Sequence, residues 1–117
     1  MFDCMVIGAG PAGLAAALEI TKIGGTVILI EREARLGGIL KQCIHDGFGL
    51  IKFNRQLTGP EYAQIYIDAV LRTDSQIALK TFVTSLEVIE GGFKAVLIDA
   101  EHGVRAVEAK TVILATG

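Results

Sequence analysis

The first thirty residues alternate apolar runs with glycine-containing breaks, and this pattern predicts a strand, a helix and a second strand. An apolar run that stops at a glycine predicts a buried strand over Asp3 to Ile7. Pro11 suits the first turn of a helix, and the alanine- and leucine-rich stretch after it predicts a helix ending at Gly24 or Gly25. The β-branched, apolar run Thr26 to Ile30 predicts a strand covered on both faces. These elements form a βαβ unit.

The middle of the chain predicts a long loop followed by a helix and a short strand. Residues 32 to 59 are glycine-rich without clear periodicity, so we predict a functional loop with one helical turn after Gly38. Thr58 and Glu61 fit a capping box, and apolar residues at helical spacing predict a helix over Pro60 to Arg72. A third parallel strand is predicted over Gln76 to Lys80.

The last third of the chain changes to β-prone runs with hairpin signals between them. Three antiparallel strands are predicted over Ser85 to Glu90, Phe93 to Asp99 and Val104 to Ala109. Thr111 to Ala115 is then predicted as a buried parallel strand. The predicted fold class is therefore α/β, with a parallel sheet covered by helices on one face and by a three-stranded β-meander on the other.

Composition narrows the class of protein. The chain has 117 residues, of which 51% are hydrophobic and 21% charged, and a net charge of -2, which disfavours nucleic acid as a partner. The most apolar stretch, Met5 to Ile20, contains glycines and a proline and is too short to span a membrane. No targeting segment is visible, so we expect a cytoplasmic protein. Cys4 and Cys43 form no disulfide framework, and no metal site is predicted.

The chemistry is concentrated in one glycine-rich turn, Gly8-Ala9-Gly10-Pro11-Ala12-Gly13, a G-x-G-x-x-G motif between the first strand and helix. Gly8 permits the turn, Gly10 leaves room for a pyrophosphate, and Gly13 lets the helix pack closely on the sheet. The helix start offers N–H groups and partial positive charge to phosphates. Glu31 ends the second strand and can accept hydrogen bonds from ribose hydroxyls. The motif therefore predicts a Rossmann-like domain that binds an ADP moiety.

An ADP moiety is common to NAD and FAD, and the motif alone leaves the choice between them open. The chain also resembles the FAD-dependent pyridine nucleotide-disulfide oxidoreductase superfamily, which includes glutathione reductase-like enzymes. Three features carry the resemblance: the glycine motif with Glu31, the Gly37-Gly38 doublet after the second strand, and the terminal Ala115-Thr116-Gly117. The predicted meander also looks like the crossover of an FAD domain, since plain NAD domains usually use a helix there.

The resemblance implies an FAD-binding portion of an oxidoreductase, with these residues near the cofactor: Gly8, Gly10, Pro11, Ala12, Gly13, Glu31, Arg32, Gly37, Gly38, Ala115, Thr116 and Gly117. Arg32 is expected near the adenine or in a solvated charge cluster. The resemblance also implies that residues 1–117 are an incomplete FAD domain, and that an NAD(P)-binding domain follows residue 117. NAD(P)H is then a second cofactor.

The stretch from Gly38 to Gly49 resembles bacterial members of the superfamily, some of them related to glycerol 3-phosphate dehydrogenase. In the resembling enzymes this loop places groups near the flavin, which makes Cys43 and His45 the candidate catalytic residues, beside the alternatives of an ordinary loop thiol and a histidine that bonds to backbone. The Cys-x-x-x-x-Cys pair of the disulfide reductases is absent, because Cys43 has no partner at that spacing.

The expected partners are a small substrate or electron acceptor and either a second copy or a larger enzyme. Two alternatives stay open at this stage: an NAD(P)-binding Rossmann domain of a dehydrogenase, and a nucleotide-binding module without catalysis.

Overall fold

The computed structural model describes residues 1–38 and 59–116. In chain order the elements are β1 (Phe2–Ile7), α1 (Pro11–Lys22), β2 (Val27–Ile30), α2 (Gly59–Leu71), β3 (Gln76–Ala78), β4 (Phe82–Ile89), β5 (Gly92–Asp99) and β6 (Gly103–Leu114). The strands form one six-stranded sheet in the order β3-β2-β1-β6-β5-β4. β1 pairs in parallel with β2 and β6, and β2 with β3, whereas β4, β5 and β6 pair antiparallel. The predicted α/β class and meander are confirmed.

Helix α1 ends where the glycines predict. Gly24 has a positive φ of 85°, its N–H donates to Thr21 O at 3.1 Å, and the Gly25 N–H donates to Ile20 O at 2.9 Å. This pair of hydrogen bonds is a Schellman motif, which satisfies carbonyls that the last helical turn leaves unpaired. The predicted end of the helix is confirmed.

The last two predicted strands are a single strand, so that part of the prediction is wrong. β6 pairs antiparallel with β5 through Ala109 and parallel with β1 from Ala109 to Leu114. One long strand thus belongs to both the meander and the parallel sheet. Its end is also less buried than predicted, because β5 pairing stops at Ala109, and Leu114 remains 68% exposed.

Several boundaries differ from the prediction by one residue, and two differ by more. β4 begins at Phe82 rather than Ser85, with a register shift between Val83 and Ser85. β3 ends at Ala78 rather than Lys80. Lys80 has a φ of 50°, a left-handed conformation that a strand cannot contain.

Each face of the parallel sheet has its own core. On one face, Val6 and Leu29 of the sheet pack with Leu14 of α1 and with Tyr66 and Val70 of α2. Tyr62 packs against the same cluster, so both tyrosines lie on the apolar face of α2. Cys4 lies in this core at 2% exposure, as predicted.

On the other face the meander packs against the sheet. Ala95 and Leu97 of β5 share a buried cluster with Met5, Ile28 and Ile30. The helices and the meander therefore cover opposite faces, as predicted, although the meander is also joined to the sheet edge through β6. None of the helices in the described ranges is long and apolar enough to cross a membrane.

Asp3 links three strands at the amino-terminal ends of the parallel strands. Its Oδ2 accepts from the Thr26 N–H at 2.8 Å, its Oδ1 lies 3.2 Å from Lys110 Nζ, and its carbonyl accepts from Thr111 Oγ1 at 2.7 Å. The Thr26 N–H, followed by Lys110, holds the pKa of the Asp3 carboxyl below its ordinary value. The opposite edge of the sheet carries the glycine motif.

We expect Leu97→Ala to reduce the free energy of unfolding by about 2–5 kcal/mol, because it leaves a cavity where the meander packs on the sheet. Leu97 is fully buried, whereas its neighbour Ile98 is 40% exposed on the outer face. Ile98→Ala is therefore the matched control, and urea unfolding of both variants provides the measurement. Equal losses would contradict the assigned packing of the meander.

Candidate functional site

The glycine motif forms a turn in which main chain packs directly on main chain. Gly8 has a φ of 107°, its N–H donates to Ile30 O at 2.8 Å, and a Cβ there would overlap the carbonyl oxygen of Ala115. A Cβ on Gly13 would overlap the carbonyl oxygen of Gly8. Packing within the protein therefore requires glycine at both positions.

Gly10 differs from these two glycines. Its φ of -76° and ψ of -167° are open to any residue, and a Cβ there would meet no atom of the described chain within 4 Å. It is the N-cap of α1, with no side-chain capping hydrogen bond and no acidic residue in the first turn. Among the described residues, no side chain neutralises the partial positive charge at the N-terminus of α1 and none fills the space beside it, an arrangement suited to an anion.

Glu31 lies next to this turn and is 9% exposed. Its Oε1 accepts from the Ala9 N–H at 2.9 Å, and its Oε2 accepts from the Glu33 N–H at 2.7 Å. Each carboxylate oxygen has a second lone pair, so both retain capacity for another donor. Glu31 therefore ties the glycine turn to the end of β2, a structural role that its place in the motif did not predict.

The other predicted segments converge on the same turn. The Gly37 N–H donates to Ala9 O at 2.8 Å, and a Cβ on Gly38 would come within 3.0 Å of the Gly10 Cα. The Ala115 N–H donates to Ile7 O at 2.7 Å. The structure thus gathers the doublet and the end of β6 around the motif at the carboxyl ends of the strands. In doubly wound sheets ligands bind at this edge, where the strand order reverses, here between β1 and β6.

The remaining predicted site residues are less closely placed or lie outside the described residues. Arg32 is exposed, with its Nε 3.8 Å from Glu33 Oε1, and its two predicted roles, near the adenine or in a solvated charge cluster, both stay predictions. Thr116 is exposed at the end of β6. Cys43, His45 and Gly117, together with the helical turn predicted after Gly38, lie outside the described residues.

His102 lies in the turn between β5 and β6, where its side chain is 58% exposed and Nδ1 is 3.2 Å from Asp99 Oδ1. His102 is therefore largely solvated. The backbone N–H of His102 is the main reason that the pKa of the Asp99 carboxyl lies below its ordinary value. Within residues 1–38 and 59–116, no three His, Cys, Asp or Glu side chains cluster as metal ligands.

Two shallow grooves lie at the opposite edge, where the parallel strands begin. One, of about 430 Å³, is lined by residues that include Lys22, Gly24, Arg72 and Asp74. The second, of about 530 Å³, is lined in part by Cys4, Ile23 and Ile113. Neither groove includes the glycine motif or Glu31. The motif edge, where a helix N-terminus and a nearly buried carboxylate lie together, is therefore the stronger candidate for the functional site.

Comparison with known proteins identifies the family of the chain. Residues 2–117 match the family described as pyridine nucleotide-disulphide oxidoreductase. Among curated relatives, hydrogen cyanide synthase subunit HcnB of Pseudomonas protegens is 34% identical over 97% of this chain and 24% of its own length. Ferredoxin–NADP reductase of Streptococcus equi subsp. zooepidemicus is 36% identical over 99% of this chain and 34% of its own length. The chain thus spans between a quarter and a third of these relatives.

Solved structures show the same fold. Thioredoxin reductase of T. acidophilum superposes with a TM-score of 0.82 at 27% identity, covering 99% of this chain and 35% of that one. L-Proline dehydrogenase of P. horikoshii superposes with a TM-score of 0.81 at 29% identity, covering 99% of this chain and 22% of that one. The family match over residues 2–117, together with this superposition, means that the chain belongs to the pyridine nucleotide-disulphide oxidoreductase family.

Proposed function

We propose that the turn from Gly8 to Gly13 holds the pyrophosphate of FAD and that Glu31 binds the ribose of its ADP moiety. The observation that carries this proposal is Gly10. Its backbone conformation is open to any residue and a Cβ would meet no described atom within 4 Å, so packing among the described residues does not require glycine there. A pyrophosphate lying against the helix N-terminus would use that space.

The neighbouring residues have separate tasks in this proposal. N–H groups of Ala12 and Gly13, in the first turn of α1, face the phosphates, and Pro11 starts the helix without an N–H to satisfy. The second lone pairs of the Glu31 oxygens accept from the ribose hydroxyls. Glu31 is held by two backbone N–H groups, so binding ribose does not require it to move.

The remaining assigned residues surround the cofactor. Gly37 and Gly38 bring main chain close to the turn. Ala115, Thr116 and Gly117 are proposed to contact the flavin end of the cofactor. The exposed Arg32, which follows Glu31 directly, is proposed to contact the adenine. Cys43 and His45 are the candidates for contact with the reacting part of the flavin or with substrate.

Bound FAD supplies the redox chemistry, passing a hydride or electron pair between NAD(P)H or a small substrate and an acceptor. This chain binds and orients the ADP end of the cofactor. The helices cover one face of the sheet and the meander covers the other, so the edge that carries the site is supported by a buried core on each side.

The proposal extends to the whole protein. An NAD(P)-binding domain is proposed to follow residue 117. Two relatives are subunits by name, HcnB and an opine oxidase component of Agrobacterium tumefaciens, and they favour a multisubunit assembly. A cytoplasmic location is proposed with it. Gel filtration of the full-length protein tests the assembly: the measured mass should exceed the mass of one subunit.

The first test of the cofactor site is Gly10→Val in the full-length protein. We expect the variant to purify without the yellow colour of flavin, because two methyl groups would fill the space assigned to the pyrophosphate. The unfolding free energy of the apo-protein should change by no more than about 1 kcal/mol, since valine readily adopts the extended conformation of this N-cap. Visible absorbance and thermal unfolding measure the two effects separately.

Gly13→Val is the matched comparison, because its side chain would overlap Gly8 and should unfold the protein as well as abolish binding. A soluble Gly10→Val protein with full flavin content would contradict the pyrophosphate assignment.

The second test is Glu31→Gln, which keeps one amide oxygen for the Ala9 N–H but removes the charge. Charge-assisted hydrogen bonds are worth about 1.5–3 kcal/mol each, so we expect the Kd for FAD to rise at least about tenfold. Glu33→Gln is the control, because that side chain is 73% exposed and its only described partner is Arg32. Its Kd should change less than about twofold. Equal Kd values for Glu31→Gln and the parent protein would refute the ribose assignment.

A further inference from the structure

The turn that follows β3 has an unusual conformation beside Glu31. Lys80 has a φ of 50°, and it is the one non-glycine residue with a positive φ in the part of the chain that the structure describes. Left-handed conformations are unfavourable for residues with a Cβ, and they persist where surrounding structure imposes them. The contacts of Lys80 show what imposes this one.

The hydrogen bonds of this turn depart from the regular parallel ladder by one residue. The Glu31 N–H donates to Ala78 O at 2.9 Å, as in a regular ladder. The next regular step would join the Lys80 N–H to the Glu31 carbonyl. Instead the Thr81 N–H donates to Glu31 O at 3.0 Å, and the Lys80 N–H donates to Glu33 O at 2.9 Å. The left-handed residue thus lets two successive N–H groups reach two carbonyls of the Glu31 segment.

These bonds close a network around the Glu31 carboxylate. Residues 78–81 form hydrogen bonds with the Glu31 N–H and with the carbonyls of Glu31 and Glu33. Glu31 Oε2 in turn accepts a hydrogen bond from the Glu33 N–H. The other oxygen, Oε1, holds the Ala9 N–H of the glycine turn. Thr81 is 3% exposed, and its hydroxyl donates to Leu79 O at 2.8 Å, so the far side of the turn is also fixed.

We propose that Lys80 is a positioning residue: its left-handed backbone clamps residues 31–33, so that the Glu31 carboxylate is already oriented for a ribose hydroxyl pair before the cofactor binds. The inference rests on the proposed role of Glu31 in binding FAD. Lys80 acts through its backbone and makes no contact with the cofactor in this proposal. A ligand group held in place before binding contributes more affinity, because less conformational entropy is lost on association.

The test compares Lys80→Val with Lys80→Gly in the full-length protein. Both variants lose the lysine charge, but only glycine readily keeps a positive φ, whereas a β-branched residue resists it. We expect the Kd for FAD to rise about fivefold or more in Lys80→Val and to stay within about twofold in Lys80→Gly. A loss of affinity in Lys80→Gly matching that of Lys80→Val would overturn the proposal, because the side chain would then be responsible.

A double-mutant cycle separates positioning from a general effect on stability. In a Glu31→Gln background, Lys80→Val should change the Kd for FAD by less than about twofold, because the carboxylate on which the clamp acts is gone. The same fold loss in both backgrounds would show that Lys80 supports the fold without acting through Glu31.

The outcomes also distinguish this inference from the proposed function. If Glu31→Gln alone leaves FAD binding unchanged, the ribose assignment fails and the clamp fails with it. If Glu31→Gln weakens binding but Lys80→Val does not, only the clamp is wrong. Should Lys80→Val fail to fold, Lys80→Ala replaces it, because alanine also resists a positive φ. Affinity that is unchanged in Lys80→Ala would overturn the proposal, as would a fivefold loss in Lys80→Gly.

Discussion

The site depends on one contact in which three segments of main chain meet without side chains between them. Gly8 lies against the carbonyl of Ala115 on one side, and its own carbonyl lies against Gly13 on the other. β1, the start of α1 and the end of β6 can approach this closely because Gly8 and Gly13 have no Cβ. The approach brings the helix N-terminus to the carboxyl ends of the strands, where a phosphate group can meet it. The geometry of the Glu31 carboxylate follows, because its Oε1 binds the N–H of Ala9 within the same turn.

β6 makes this contact possible while also building the second core. Its first half pairs with β5, and its second half pairs with β1. The meander can therefore pack Leu97 against Ile28 and Ile30. The second half of β6 places Ala115, which follows the strand, against Gly8. Opposite the meander, α1 and α2 cover the other face. The site residues thus stand at the edge of a sheet that is packed on both sides.

Most of the fold and the location of the site could be predicted from local patterns. An apolar run ending at Gly8 marked β1, a β-branched apolar run marked β2, and the spacing of Gly8, Gly10 and Gly13 marked the turn. The continuity of β6 could not be predicted, because an apolar run interrupted by Glu108 and Lys110 looks like two strands until the change of pairing partner at Ala109 is known.

The left-handed conformation of Lys80 could not be predicted either, because a lysine in the sequence does not indicate that conformation. It accompanies the hydrogen bonds that the N–H groups of Lys80 and Thr81 donate to Glu33 and Glu31. The two backbone N–H groups held by Glu31 were missed for a similar reason. The motif predicts that the Glu31 carboxylate can accept hydrogen bonds from a ribose, whereas the contacts of Glu31 with Ala9 and Glu33 depend on tertiary structure.

Hydrogen–deuterium exchange of the full-length protein with and without FAD tests the central claim most directly, because it reports on backbone N–H groups at the proposed site. The account predicts that FAD slows exchange in peptides covering residues 8–14 and 31–33. Exchange at residues 72–74, which line the groove at the opposite edge, should stay unchanged. Bound FAD with unaltered exchange across residues 8–14 would contradict the account, since the cofactor would then be held elsewhere.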